Sequence, residues 1–307
     1  MNLFPANPAR QRPATEIPSQ HARAALAIAV AAAAVTFFTI SARAADNHKE
    51  SRLEIAPGGN ITVINALGSV TLHSAPGHQV LVAYTTHSDK IEVDQTNPDK
   101  TRLELRSHVL AGQKPSADEA RVDFEITVPP GVSVNVSTVS APVTADGLNG
   151  DITIASESGQ IAARNIARSH LHVRSMKAPV ILNNVTLSHV DVQSSAGPVH
   201  LTTVTGPNVT VGTANGSIDY HGDCAGGGDY RFSTHTGDIE MWLPAYASVD
   251  LSARSPAGSV ENAFPLEEKQ HQVNPPIQGR SFAGTSNSGS SSVQLQSISG
   301  KIRVKKQ

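Results

Sequence analysis

The sequence predicts an all-β fold, a single-stranded β-solenoid (β-helix) with coils of about 19 residues and an N-terminal β cap. Apolar residues recur at a fixed interval along the middle of the chain. The clearest column is Ile152, Leu171, Val190 and Val209, each 19 residues after the last. Apolar and polar residues alternate within each copy, as in strands with one buried face. Aromatic residues are only 4 % of the 307 residues, so the core must consist of smaller apolar side chains.

The repeat unit reads apolar-x-apolar-x-Ser/Thr, then a small turn residue, then x-Val/Ile. Its other columns are Ile154, Val173, Val192 and Val211; Ser156, Ser175, Ser194 and Thr213; and Ile161, Val180, Val199 and Ile218. Two short strands and two turns fit this length, whereas a strand–helix–strand unit does not. We therefore expect stacked coils with like residues over like at about 4.8 Å. In that register Val192 points into the core and Gln193 points outward.

The turns of the repeat carry two further expectations. The Ser or Thr that ends the first strand is expected to bond turn backbone groups through its hydroxyl. Glycines occupy the turns of several coils and are expected to supply positive φ angles there. These glycines are Gly159, Gly197, Gly216, Gly237 and Gly300.

Weaker copies of the unit lie outside the regular array, at residues 63–70, 251–260 and 295–302. Residues 128–136 and 243–251 also resemble each other, since each has an apolar residue, Pro and then an alternating strand pattern. We interpret these two as lead-in segments that begin two related sub-arrays.

Composition divides the chain into five parts. Residues 1–44 form a signal peptide or N-terminal anchor, and residues 45–130 form the N-terminal β cap segment. The remaining parts are the β-solenoid core at 131–261, a flexible loop at 262–292 and a C-terminal closing strand at 293–307. The loop prediction rests on its Pro-, Gln- and Ser-rich composition.

The N-terminal residues predict export. Three arginines precede an apolar run at residues 24–40, and Ala42-Arg43-Ala44 follows it. This order is typical of a cleaved signal peptide, with a mature chain that begins near Ala45. We expect the protein in the periplasm, on the outer surface or secreted. The alternative is an inner-membrane anchor formed by residues 24–40, which is at the short end for a membrane span.

Charge and cysteine content limit the partners. Beyond residue 44 the chain has 20 basic and 25 acidic residues, a formal charge of −5. With no basic stripe to follow a phosphate backbone, we expect no nucleic acid partner. The lone Cys224 cannot form an internal disulfide, and it lies in a Gly-rich loop where a small residue fits. The alternatives are a free reactive thiol or a disulfide between chains.

The sequence predicts no enzyme. We find no nucleophile elbow, paired-cysteine metal motif or phosphate-binding loop, and the acidic residues are scattered. The three acids that could approach one another are Asp219, Asp238 and Glu240. We therefore expect no catalytic residues and no cofactor. A carbohydrate-active β-helix enzyme is the alternative from another class.

One outward patch is the candidate metal site in a chain otherwise expected to have none. If the apolar residues of the repeat point inward, the 19-residue register places three histidines and two carboxylates on one outer face. They are His170, His172, His189, Asp191 and Asp151. Carboxylates favour protonated imidazoles, so the patch could respond to pH. Imidazole and carboxylate also suit Zn²⁺.

The repeated Val-x-Val-x-Ser/Thr-x-x-Gly-x-Ile pattern resembles the bacterial putative-adhesin β-strand-repeat family, a domain of unknown function found in envelope and exported proteins. The Val-Pro-Pro-Gly-Val segment at 128–132 and Gln-Ser-Ile-Ser-Gly-Lys-Ile at 296–302 share this resemblance, which covers about residues 55–304. The chain departs from the family at 141–142 and 178–179, where Ala-Pro replaces Gly-Asp. The resemblance implies a β-solenoid and adhesion.

These observations predict a non-enzymatic envelope or surface protein that acts as an adhesin-like interaction or structural protein. Its partner would be a protein or glycan at the cell envelope. The alternative is a scaffold that self-associates through the ends of the solenoid, because sheet edges there could pair.

Overall fold

The computed structural model describes residues 46–225, 227–268 and 279–307. The predicted signal peptide, the alternative anchor at 24–40 and residues 269–278 of the predicted loop lie outside them. Within these ranges, no helix is both long enough and apolar enough to cross a membrane.

The N-terminal third consists of seven strands whose apolar and polar residues alternate. Ile61 and Val63, for example, are fully buried while Thr62 between them is not. The strands are β1 (Asn47–Glu54), β2 (Asn60–Asn65), β3 (Gly68–Ser74), β4 (Gln79–Thr86), β5 (Ile91–Thr96), β6 (Arg102–Val109) and β7 (Val122–Val128).

The middle of the chain forms short strands in regular pairs, which follow the predicted repeat. They are β8 (Ser133–Thr138), β9 (Val143–Asp146), β10 (Ile152–Ser156), β11 (Ile161–Ala167), β12 (His170–Ser175), β13 (Val180–Thr186), β14 (His189–Ser194), β15 (Val199–Val204), β16 (Asn208–Thr213), β17 (Ile218–His221), β18 (Asp229–Thr234) and β19 (Ile239–Leu243).

The C-terminal part adds six more strands. They are β20 (Val249–Arg254), β21 (Ser259–Asn262), β22 (Glu267–Glu268), β23 (Ser281–Ser286), β24 (Ser291–Ser297) and β25 (Lys301–Lys306).

The strands form two long sheets, and each coil gives one strand to each sheet. In the described chain, sheet A has 12 strands in the order β1-β4-β7-β3-β9-β11-β13-β15-β17-β19-β25-β21. Sheet B has 13, in the order β22-β23-β20-β24-β18-β16-β14-β12-β10-β8-β2-β6-β5. Neighbouring coils pair in parallel, and β12 and β14 align Leu171 with Val190 and Val173 with Val192. The prediction of an all-β solenoid with 19-residue coils is confirmed.

The core lies between the two sheets as continuous apolar columns. Val192 is fully buried between Val173 and Val211 of the neighbouring coils, whereas Gln193 is exposed. The predicted inward and outward positions are therefore correct here. Stacking like residues at about 4.8 Å removes apolar surface from water that a single coil would expose.

The hydroxyl column closes the turns as predicted. The Oγ of Ser156 accepts the N–H of Gly159 at 2.9 Å, and the Oγ1 of Thr213 accepts that of Gly216 at 2.9 Å. In the coils of Ser175 and Ser194, the hydroxyl instead donates to a turn carbonyl. Each bond satisfies a backbone group that is buried in the stack.

The glycine column has a different cause from the predicted one. None of the five glycines has a φ angle in the left-handed region. Instead, a Cβ on Gly216 would lie 2.2 Å from the carbonyl oxygen of Gly197, and one on Gly237 would lie 1.9 Å from that of Gly216. Successive turns stack backbone on backbone, so glycine is needed for close approach rather than for an unusual dihedral angle.

At the N-terminal end, the order of coils in space differs from their order in the chain. The coil β2–β3 pairs in parallel with β8–β9 on one side and with β6–β7 on the other. The strands β4 and β1 then extend sheet A and β5 extends sheet B, all antiparallel. The predicted cap segment thus contributes two full coils of the stack, with antiparallel strands beyond them, and the described residues from Asp46 onward belong to one compact unit.

The C-terminal end repeats this arrangement. The predicted closing strand at 293–307 forms two strands, β24 and β25, which lie between the coil β18–β19 and the coil β20–β21. The predicted flexible loop contains β22 and β23, and β23 pairs antiparallel with the outer edge of β20. β23 thereby covers the open edge of β20, a pairing that composition alone did not indicate.

The two lead-in segments mark the places where the chain skips a coil. The connection from β7 to β8 passes the coil β2–β3, and the connection from β19 to β20 passes the coil β24–β25. Each lead-in segment has Pro as its second residue, which cannot continue the hydrogen-bonding ladder of its strand. The resemblance between residues 128–136 and 243–251 therefore reflects the same topological step at opposite ends.

Candidate functional site

The predicted patch lies on the outward face of sheet B. His170 Nδ1 lies 2.9 Å from Asp151 Oδ1, and the rings of His170 and His189 have centroids 5.0 Å apart. In the next column, His172 Nδ1 lies 3.6 Å from Asp191 Oδ2. The register therefore brings all five predicted residues onto one surface.

The patch is a set of pairs rather than a metal cage. Among the residues that the structure describes, one group of three His, Cys, Asp or Glu side chains has ligand atoms within 4.8 Å of one another, and it does not include this patch. That group is Glu92, Asp94 and His108 at the N-terminal end of sheet B. In their present rotamers, the five patch residues do not surround a common point.

A groove runs beside the patch, where the strands of sheet B end and turn. We call it the turn groove. It comprises two cavities of about 580 and 470 Å³ that share Gln193 and Ser194. One end is lined by Ser137 of β8 and the other by Arg254 of β20. The groove thus crosses every coil of sheet B between these two strands.

The turn groove mixes small, apolar and charged surface, and Glu157 is the acidic residue in its described lining. Val139, Met176 and Ile298 are 46 %, 52 % and 52 % exposed along its turn side, which is unusual for large apolar residues. Two arginines, Arg174 and Arg254, line it, and within the described ranges neither is paired with a carboxylate.

The patch and the groove form one continuous surface. Gln193 lines the groove, and its Nε2 donates a 3.1 Å hydrogen bond to Asp191 Oδ1 in the patch. His172 and Arg174 are alternate residues of β12, so both point outward from the same strand. The histidines of the patch therefore form a polar surface along one side of the groove.

The three acids that the sequence suggested as a converging group lie on sheet A or in the turn before it, and each has a basic side chain beside it. Asp219 faces His200 at 3.6 Å and His221 at 3.3 Å. Arg303 bridges Asp238 and Glu240, at 3.3 and 3.6 Å. Lys305 also pairs with Glu240, whose pKa is lowered chiefly by that hydrogen bond.

Trp242, the only tryptophan, does not offer an open ring face. The His221 ring stacks on it at 5.6 Å with an interplanar angle of 11°, and Lys305 Nζ lies 4.4 Å from its centroid. These neighbours come from β17 and β25, which flank β19 on opposite sides. A sugar ring could stack there only by displacing one of them.

Cys224 is buried in the core, which agrees with its interpretation as a small loop residue. Burial raises the pKa of its thiol to about 12, so the thiol stays protonated at neutral pH. Its backbone oxygen accepts a hydrogen bond from the Ser291 hydroxyl, which ties its loop to β24. A disulfide between chains would require this loop to open.

The fold and this surface define a class: a two-sheet β-solenoid with an extended outward face. The chain belongs to the Toastrack DUF4097 family, whose model matches residues 51–305. No curated protein matches the chain.

Solved structures that are similar to it include two crystal structures. A putative cell adhesion protein from Clostridium sporogenes is 13 % identical, with a TM-score of 0.29 over 85 % of this chain and 100 % of that one. A putative adhesin from Parabacteroides distasonis is 10 % identical, with a TM-score of 0.39 over 85 % and 97 % of the two chains.

Proposed function

We propose that this chain is a non-enzymatic, exported envelope or surface protein that binds an extended partner, a protein or a glycan, along the turn groove. The observation that carries the proposal is the length of the groove. It crosses eight strands of sheet B, from β8 to β20, which corresponds to about 34 Å at the usual strand spacing. A linear polymer would contact successive coils, whereas a small metabolite would occupy a fraction of this length.

The lining of the groove supports a partner with acidic groups. Within the described ranges, the guanidinium groups of Arg174 and Arg254 have no carboxylate partner, and they favour carboxylate or phosphate ligands, which they can bind in bidentate geometry. The exposed Val139, Met176 and Ile298 supply apolar contact area at separate points along the turn side of the groove. Arginine and apolar side chains are both common at protein surfaces that bind partners.

The side chains that surround the acidic residues support the absence of enzymatic activity. Acid–base catalysis on glycans requires two carboxyl groups that face a common substrate. Asp219, Asp238 and Glu240 instead face histidine, arginine and lysine side chains. The neighbouring basic side chains would have to be displaced before these acids could serve such a role.

Self-assembly through the coil ends is less well supported. At the N-terminal end, the outermost strands β1 and β5 carry charged residues at their exposed positions, including Lys49, Glu50, Glu92 and Asp94. Charged edge strands disfavour pairing with a second copy.

Export is tested by determining where the N-terminus of the recovered protein lies. N-terminal sequencing of the protein recovered from its native envelope or medium should begin near Ala45. An intact Met1 in a soluble cytoplasmic fraction would contradict export, and an intact Met1 in the inner membrane would support the anchor formed by residues 24–40.

Groove binding is tested with linear polymers of different charge. The purified chain is titrated with polygalacturonate, poly-L-glutamate and neutral dextran by biolayer interferometry. We expect an acidic polymer to bind and the Arg174→Gln/Arg254→Gln variant to lose at least about tenfold in affinity, because two charged contacts are removed.

A second test blocks the groove with a bulky side chain and compares this variant with one that has the same bulk on the other sheet. Gly212→Trp would fill the middle of the groove, since the nearest atoms to a Cβ there belong to the flexible end of Gln193. Ala162→Trp adds the same bulk to the outward face of sheet A. Loss of binding by the first variant alone supports the proposal. Equal binding by both variants, or no binding by the unmodified chain, would overturn it.

A further inference from the structure

The cluster of Glu92, Asp94 and His108 lies at the outermost strand pair of sheet B. Glu92 on β5 is directly opposite His108 on β6, and Asp94 follows two residues after Glu92 on the same face. The inward positions of β6 are taken by Leu103 and Leu105, so these three polar side chains point outward. Strand pairing therefore fixes the backbone positions of all three.

The distances within the cluster are short. His108 Nδ1 lies 3.3 Å from Asp94 Oδ2, and its Nε2 lies 3.9 Å from Glu92 Oε2. Nδ1 is shielded from solvent yet has no hydrogen-bond partner in the structure. A shielded imidazole nitrogen without a hydrogen bond is an incompletely satisfied polar atom, which calls for an explanation.

A metal ion would satisfy this nitrogen. Zinc binds imidazole nitrogen at about 2.0–2.1 Å and carboxylate oxygen at about 2.0–2.2 Å, which places ligand atoms about 3.4 Å apart in tetrahedral geometry. The 3.3 Å separation between His108 Nδ1 and Asp94 Oδ2 already fits this value. Glu92 has a longer, exposed side chain that can rotate to supply the third ligand.

The geometry points to a binding site for a divalent transition-metal ion, represented by Zn²⁺, formed by Glu92, Asp94 and His108. One imidazole and two carboxylates neutralise the ion and leave a coordination position for water or a partner's side chain. The ion would join the outermost strand β5 to β6. This site is independent of the turn groove, which begins at β8.

The test is a titration of the full mature chain with ZnCl₂ by isothermal calorimetry. We expect one ion per chain, and His108→Ala should weaken binding by at least about tenfold, within the range known for losing metal-site partners. Glu92→Gln should also weaken it and retain the fold, because this side chain is exposed. Circular dichroism checks folding of each variant.

The control is the predicted patch, which also contains histidines and carboxylates. The His170→Ala/His172→Ala/His189→Ala variant should bind Zn²⁺ as the unmodified chain does. Loss of binding in this triple variant, unchanged binding in His108→Ala, or no binding by the unmodified chain would each overturn the proposal.

Discussion

The central coils and the two ends of this solenoid are built from the same unit but are connected differently. From β8 to β19, six coils follow one another in space as they do in the chain. At each end, the coil nearest the terminus lies one place inside the stack, and a coil that is farther from that terminus in the sequence covers it. The central coils are therefore connected by regular stacking. At each end, one coil is inserted between two others, and we call this arrangement the interlock.

The difference teaches how an open stack of parallel coils protects its ends. A terminal coil that simply followed its neighbour would have one unpaired edge and a free chain end, and would fray. Here the coils β2–β3 and β24–β25 are paired on both sides. Among the outermost strands of the described chain, β1, β5 and β22 pair antiparallel with their neighbours, whereas β21 pairs in parallel.

The largest expected effect comes from removing an interlocked coil. Deletion of residues 291–307 removes β24 and β25 from between two coils, together with the buried Val293, Leu295, Ile302 and Val304. Each of these side chains contributes about 1.5–3 kcal/mol on burial. We expect the truncated chain to lose its cooperative thermal transition or to become insoluble.

The comparison is sharpened by deleting residues 46–54 instead. These residues include β1, an edge strand with no buried side chain. Differential scanning calorimetry should show a cooperative transition with a slightly lower Tm. Similar losses of stability in both truncations would mean that a coil inserted between two others stabilises the fold no more than an ordinary edge strand does.

An effect of intermediate size is expected from substitutions of two glycines in one central coil. Gly216 lies in the turn and Gly212 lies in the strand before it. Gly216→Ala places a Cβ 2.2 Å from the Gly197 carbonyl oxygen, so the turns must move apart. We expect a loss of about 1–3 kcal/mol in urea unfolding, as for overpacked sites. Gly212→Ala, in the preceding strand, meets only the end of the Gln193 side chain and should change stability by less than about 1 kcal/mol. Equal losses would show that close turn stacking does not require glycine.

The smallest expected effect is a pH dependence at the N-terminal end. His87 Nε2 lies 2.7 Å from Asp123 Oδ2 and its Nδ1 lies 2.9 Å from Asp46 Oδ1. The hydrogen bond to Asp123 raises the pKa of His87, with a smaller contribution from Asp46 and against the effect of burial. The stabilisation is complete below the ordinary imidazole pKa of 6.5 and is lost as pH rises through the raised value.

This pH effect should stay local. Asp46 immediately precedes β1, so we expect hydrogen exchange of the β1 amides, corrected for the intrinsic rate, to increase as pH rises above 6.5. Amides of β14 should not change, and His87→Gln should remove the dependence. A matching response in β14 would show that the end does not open separately from the middle.

The sequence allowed the coil, its period and its inward residues to be predicted, because period-two alternation and a fixed repeat both report burial directly. Even the weak copies at 63–70, 251–260 and 295–302 proved to be coils. The order of the end coils could not be predicted, because parallel pairing of like units is equally compatible with several orders. The two lead-in segments were the available signal for this order, and their Pro residues stand where the chain skips a coil.

The candidate surfaces were only partly predictable, for a related reason. The patch at His170 and His172 followed from the 19-residue register, and the structure places its members as that register requires. Arg174 and Arg254 follow from the same alternation once the groove is known. The cluster at Glu92 and His108 depends on an antiparallel pairing between β5 and β6 that no repeat encodes.

The interlocked ends also limit how such a protein can change in length during evolution. A duplicated coil appended to either terminus would have to enter a position between two existing coils, where β2–β3 or β24–β25 already lies. Insertion of whole coils between β8 and β19 meets no such obstacle, since each new coil stacks on an identical pattern. Homologues of different length should therefore differ by multiples of about 19 residues in the middle of the chain, while both ends keep their coil-skipping connections.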